Sequence, residues 1–210
     1  MSTPPYLPLY MRRQLQKAVA QRPFPILIKI TCAMLCRMIE LELTYLAKYI
    51  PEGLKDCESK KIVDLYIENG SNHPNLRVRQ NGQKFEITRK VPVEEGDASK
   101  QVETTIVLGE EEFNCFRTAK NRTTEKTRYY YTYQDLCAEV DVFEGALAGL
   151  VVIDFEFDSE EKKNTFVTPD FCLVEVTQEE WVAGGMLAGE KYEVIEKDLE
   201  KFGYQKLIIK

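Results

Sequence analysis

Hydrophobic and polar residues alternate along most of the chain between Met38 and Thr177, the period of a half-buried strand rather than of a helix. "MIELELTYLAKYI" sets Ile39, Leu41 and Leu43 against Glu40, Glu42 and Thr44. "DLYIE", "NLRVRQ", "KFEITRKV" and "VETTIVL" follow at short spacing, and later "TEKTRYYYTY", "LCAEVDVF", "LVVIDFEF" and "FCLVEVT". The turn-like stretches "ENGSNHPN" and "QNGQ" separate the first of these, and the Asn-Gly of the second predicts a hairpin. Helical spacing appears in "GEEEFNCFRTAKN" and, after Gln178, most clearly in "GEKYEVIEKDLEKFGY". "VEEGDASKQ" reads as a mobile loop. About eight or nine strands with mostly short links predict an antiparallel barrel or sandwich accompanied by helices.

Residues two apart on a strand share a face, so each strand can be read one face at a time. Glu40 and Glu42 share a face, as do Glu139 and Asp141, and Asp154 and Glu156; Glu175 has a similar setting in "LVEVT". Other strands carry cations at this parity: Arg77 with Arg79, Lys126 with Arg128, and Lys90 alongside Thr88 and Glu86. The opposite parity is mostly apolar, as in Leu76 and Val78, Val140 and Val142, or Ile153, Phe155 and Phe157, with Arg89 an exception. One reading is a solvated sheet face, which requires no function. The other is a polar interior that holds something charged. Sorting by sign favours the second, because like charges along a strand repel and call for a counter-charge. Acidic pairs suit a hard divalent cation, Mg²⁺ or Mn²⁺ rather than zinc. Basic pairs suit the oxygens of a multiply charged anion. A metal-bound polyphosphate meets both demands.

Composition narrows the alternatives. The 210 residues are 44% hydrophobic and 30% charged, as expected of a soluble globular domain. A net charge of -6 argues against a general nucleic-acid binder. Cys32, Cys36, Cys57, Cys115, Cys137 and Cys172 include no Cys-x-x-Cys, and the one histidine, His73, lies in a turn-like stretch. Zinc-ligand spacing is therefore missing, reduced cytoplasmic thiols are the simpler reading, and Ser-His or Cys-His catalysis has little basis. No Gly-x-Gly-x-x-Gly occurs, and "GGMLAGEK" places Glu190 where a P-loop requires lysine. The first 37 residues hold five of the nine prolines and no acid, and Lys29 interrupts their apolar run. They suit neither a cleaved signal nor a membrane span. Residues 1–37 are read as a dispensable leader and 38–210 as the domain.

The ordered set "IELEL", "LRVR", "EITRK", "KTR", "EVDVFEGALAGLVVIDFEF" and "EVT" resembles the triphosphate tunnel metalloenzymes, or CYTH superfamily, which includes class IV adenylyl cyclase and thiamine triphosphatase. The resemblance runs from Met38 to about Leu187. It implies an α+β fold: an eight-stranded antiparallel barrel, or tunnel, with a polar interior and flanking helices. Glu40 and Glu42 match the family's Glu-x-Glu metal pair, and Asp141, Asp154 and Glu156 match its later acidic positions, Asp154 standing where the family usually has Glu. Arg77, Arg79, Lys90, Lys126 and Arg128 match its phosphate-binding cations. Glu40, Glu42 and Lys126 are the implied catalytic set, while Glu139 and Glu175 could orient a cation or bind metal. The family's Glu-x-Glu-x-Lys ends here in Thr44, with Lys48 four residues on.

The implied activity is Mg²⁺- or Mn²⁺-dependent hydrolysis of a triphosphate, inorganic tripolyphosphate foremost. The alternatives are a class IV-type cyclase, a thiamine or nucleoside triphosphatase, or a binder without turnover. The expected partner is a triphosphate-containing small molecule, with no nucleic acid or membrane involved; oligomeric state is left open. Removing residues 1–37 should leave a soluble, active domain, and an insoluble or inactive product would contradict the reading of the leader.

Overall fold

One strand closes the sheet by pairing with three others. In a computed structural model describing residues 37–67, 74–117 and 121–209, β1 (Arg37–Ala47) pairs along one edge with β8 (Val151–Phe157), from Leu41↔Phe157 to Leu46↔Val152. Its other edge pairs first with β5 (Lys100–Leu108), from Arg37↔Thr104 to Leu41↔Lys100. It then passes to β9 (Cys172–Glu175), with Tyr45 opposite Glu175. The intervening order is β5, β4 (Lys84–Pro92), β3 (Leu76–Asn81), β2 (Ser59–Tyr66), β6 (Arg122–Tyr133), β7 (Leu136–Phe143), β8. Among the described residues this makes an eight-stranded antiparallel barrel, with β9 as a flange on β1. Closure leaves no open edge between β1 and β5, so every barrel strand has two neighbours.

All nine predicted strand segments are present. β2 begins at Ser59, ahead of "DLYIE", because Lys60 to Asp64 already pair with Arg128 to Thr124 of β6. The β3–β4 hairpin turns one residue later than its Asn-Gly suggests. Asn81 still pairs with Lys84, which leaves Gly82-Gln83 as the loop, with Gly82 at φ 59°. His73, Cys32 and Cys36 lie outside the described residues.

The apolar parity faces outward and is largely covered by segments that follow the strands, although Ile39 on β1 and Ile106 on β5 stay exposed. Helix α1 (Glu110–Arg117) sets the fully buried Phe113 against Leu65, Val78 and Phe85 on β2, β3 and β4. On the opposite side, Leu41, Tyr45, Val140, Ile153 and Phe155 pack beneath Phe166 and Phe171, from the segment that follows the short helix α2 (Glu160–Asn164). Helices α3 (Gly184–Leu187) and α4 (Tyr192–Lys201) belong to a separate apolar cluster with Leu147 and Leu150 of the β7–β8 connection. The Tyr204 hydroxyl anchors the tail by donating to the Gly149 carbonyl and accepting from the Val151 amide, each at 2.8 Å. No helix among the described residues is long and apolar enough to cross a membrane.

At one end of the barrel the inward parity changes from charged to apolar. Leu46, Phe143 and Val152 pack there against Val176, Val182 and Leu187, so the chain from Val176 to Leu187 covers that end. The Gly189 amide then donates to the Thr123 carbonyl at the start of β6 (3.1 Å).

Phe155 is fully buried, with ring centroids 4.7 Å from Phe166 and 6.0 Å from Tyr45. Phe155→Ala should lower unfolding free energy by about 3–5 kcal/mol, read from urea denaturation. A loss under about 1 kcal/mol, the scale of a surface substitution, would show that the outer core is not what holds the barrel.

Candidate functional site

The charged parity lines a single cavity of about 720 Å³. It gathers all ten residues selected from the sequence: Glu40 and Glu42 on β1, Arg77 and Arg79 on β3, Lys90 on β4, Lys126 and Arg128 on β6, Asp141 on β7, and Asp154 and Glu156 on β8. Glu139 and Thr44 line it too. Glu175 does not: it pairs with Tyr45, whose parity is outward, and its exposed carboxylate accepts from Thr177 Oγ1 at 2.9 Å. Lys48 lies past the end of β1, exposed and away from the cavity. Thr44 therefore has no lysine standing in for it from position 48. Its backbone is tied to the covering segment, the amide donating to Thr177 Oγ1 (3.0 Å) and the carbonyl accepting from Val176 (2.8 Å). That segment also comes so near Tyr66 that a Cβ on Gly184 would lie 2.2 Å from the phenolic oxygen.

Two acids escaped the sequence reading. Glu103 lines the cavity, as does the already noted Glu86, and Asp64 stands behind Arg79. Each is the lone acid on the inward face of its strand, so a search for like-charge pairs passes over it. The usable signal was parity alone, since Asp64 alternates with Tyr66, and Glu103 with Thr105.

The lining is divided by sign. Consecutive strands β7, β8 and β1 form an acidic wall, with Glu42 opposite Glu156 and Glu139 opposite Asp154 in the ladder. The cations come from β3, β4 and β6. Lys90 Nζ lies 2.6 Å from Glu40 and 3.5 Å from both Glu42 and Glu103. Arg128 grips Asp141 with two bonds of 2.6 Å, and also bonds Glu139 and reaches Asp154 at 3.5 Å. Lys126 bonds the same Asp141. Arg79 holds Asp64 through a fork of 2.6 and 2.8 Å.

These contacts set the protonation of the acids. Despite burial, Arg128 and Lys126 hold the Asp141 carboxyl down to about 2. Glu42 is also buried, yet Lys90 and Arg128 keep it below the usual carboxylate range. Burial, with Glu42 and Asp141 close by, pushes Asp154 well above that range. Burial likewise raises Glu156, helped by Glu139, Glu40 and Glu42, and raises Glu40 against the pull of Lys90. The acidic wall thus holds more carboxyls than its cations keep ionised, and Asp154, Glu156 and Glu40 are shifted toward their neutral forms.

An all-oxygen donor set of this kind fits a hard divalent cation such as Mg²⁺ or Mn²⁺. Among the described residues no three acids are yet gathered around one point. Lys90 and Arg128 engage these acids as ion-pair partners, and a cation would have to compete with those pairs.

Asp141→Asn would leave two buried cations short of their counter-charge, at a cost of about 3–5 kcal/mol at neutral pH. Asp141 is depressed in the folded state, so its contribution is complete above about pH 4, the unfolded value, and is lost as pH falls through about 2. Urea unfolding between pH 7 and pH 2 should show the gap between parent and variant closing across that window. A gap independent of pH would contradict the assignment.

No protein-family model matches the sequence. The inorganic triphosphatase of Nitrosomonas europaea is 31% identical over 144 residues, covering 68% of this chain and 91% of that protein. The crystal structure of the inorganic triphosphatase NE1496 is similar with a TM-score of 0.54 at 26% identity, over 72% of this chain and 95% of that one. A further crystal structure, of the hypothetical protein NE1496, gives 0.54 at 28% identity, over 72% and 99%. With the eight-stranded barrel and its sign-sorted interior, this similarity over nearly the whole relative shows that the chain belongs to the triphosphate tunnel metalloenzyme, or CYTH, family.

Proposed function

We propose that this protein is a divalent-metal-dependent triphosphatase that cleaves a phosphoanhydride bond of a triphosphate inside the barrel, with inorganic tripolyphosphate as the first substrate. The observation that carries this reading is one cavity in which an acidic wall faces a basic one. Glu40, Glu42, Asp154 and Glu156, joined by Asp141, would hold Mg²⁺ or Mn²⁺. The metal would polarise phosphoryl oxygens and lower the pKa of a bound water. Arg77, Arg79, Lys90 and Arg128 would bind and straighten the phosphate chain, arginine through paired N–H groups and lysine as a point charge. Lys126 would meet the charge that develops on the transferring phosphoryl group, and such stabilisation is most of what phosphoryl transfer asks of a protein. The free thiols Cys57, Cys137 and Cys172 favour a reducing, cytoplasmic setting for this chemistry.

Thr44 supports a second reading, a binder with slow or no turnover. A hydroxyl there cannot replace an ammonium on phosphate, and Lys48 does not reach the cavity. Under this reading Thr44→Lys raises hydrolysis.

Phosphate release from tripolyphosphate, with Mg²⁺ or Mn²⁺ and with chelator, tests the proposal. Turnover should require metal, and Glu42→Gln should lower kcat roughly 10²-fold or more, the scale of losing one electrostatic stabiliser of a transition state. Unchanged turnover in Glu42→Gln would remove the acidic pair from the mechanism. Pyrophosphate and cyclic nucleotide from ATP would instead identify a cyclase.

A further inference from the structure

Arg79 lines the cavity, but it does not stand alone. Its Nε donates to Asp64 Oδ1 at 2.6 Å and its Nη2 to Asp64 Oδ2 at 2.8 Å. Asp64 is directly opposite Arg79 in the β2–β3 ladder, which fixes the approach of the two side chains. Asp64 is 1% exposed and Arg79 6%, and Asp64 is not part of the cavity lining. Both carboxylate oxygens are engaged by one guanidinium, so Asp64 reaches the cavity only through Arg79.

From this geometry we infer that Asp64 is a positioning residue for anion binding, an inference that rests on the triphosphatase reading above. The fork occupies Nε and one hydrogen of Nη2. Nη1 and the remaining Nη2 hydrogen stay available to a phosphate oxygen, held in one plane before any ligand arrives. An arginine already fixed loses little side-chain freedom on binding, whereas an unpinned one would have to be ordered by the ligand. The ladder gives β2 this task because neighbouring inward positions on adjacent strands lie within reach of each other.

The inference separates cleanly from a bare charge effect. Asp64 is an anion near an anion-binding site, so by Coulomb repulsion alone its removal should tighten substrate binding. A positioning role predicts the opposite. The measurement is kcat and KM for tripolyphosphate with Mg²⁺ in the parent, Asp64→Asn, Arg79→Lys and the double variant, each checked for folding by thermal melting. Asp64→Asn should raise KM and lower kcat/KM roughly 10- to 100-fold, the usual scale for a residue that orients a ligand-binding group. In the Arg79→Lys background the same change should alter kcat/KM by less than about twofold, since its effect passes through the missing fork.

A lowered KM in Asp64→Asn, or an equal loss in both backgrounds, would overturn the inference. If Asp64→Asn does not fold, the pair is replaced together as Asp64→Leu with Arg79→Met and compared with Arg79→Met alone. Equal kcat/KM supports positioning through Arg79, and a further loss in the pair overturns it. Failure of the parent itself to bind tripolyphosphate by calorimetry or to hydrolyse it would defeat the functional reading, and this inference with it. Parent activity with a wrong response in Asp64→Asn would defeat the inference alone.

Discussion

A closed barrel that turns its charged face inward must satisfy those charges within the barrel or with a ligand, because few other partners are at hand. In this chain the interior carries Glu40, Glu42, Glu139, Asp141, Asp154 and Glu156 on three adjacent strands and five cations on three others. Partial neutralisation is visible in the forks Arg79–Asp64 and Arg128–Asp141 and in Lys90 among three glutamates. It is incomplete at Asp154 and Glu156, where burial and acidic neighbours oppose ionisation. The remaining imbalance is the physical basis of a binding site, since a cation at the acidic wall and an anion at the basic one would each relieve repulsion already present.

This arrangement inverts the usual location of the core. The apolar face of most strands is outside, so much of the stabilising burial comes from elements laid over the barrel: α1 with Phe113 and the segment bearing Phe166 and Phe171, while α4 with Ile195 and Leu199 packs in the cluster at the covered end. Fold and site are therefore coupled through the same strands, each strand contributing one face to packing and the other to charge. At the covered end the inward residues become apolar, and Val176 to Leu187 bridge the charged and apolar parts, touching Tyr66 and Thr44 on one side and Leu46, Phe143 and Val152 on the other.

The inner charges divide into those that can meet a ligand and those that hold others in place. Arg79 is fixed by Asp64 and lies at the cavity wall. Arg128 and Lys126 share Asp141, whose depressed carboxyl reflects both. Lys90 is shared among three carboxylates, with Glu40 at 2.6 Å and Glu42 and Glu103 each at 3.5 Å. Pre-ordered arginines would give phosphate recognition direction, and the lysine would add a point charge.

Local period was enough to read the strands, because the alternation between buried and charged positions is imposed residue by residue. It also brought most of the cavity residues into view, since like-charge pairs such as Arg77 with Arg79 or Asp154 with Glu156 are visible in one strand, while Lys90 has no such pair and the choice of the ten rested on the family resemblance. It misplaced Glu175, because parity within a strand does not say which neighbour sets the face; β9 lies outside the ring, opposite Tyr45. Asp64 and Glu103 were passed over for the same reason, a lone acid acquiring meaning only when the ladder puts Arg79 or Lys90 beside it. The sequence by itself determined which face of each strand was charged and with which sign. Only the tertiary structure decided which charges meet and which acids are left partly unneutralised, because contact between strands depends on register and closure, and neither is encoded in the period of a single strand.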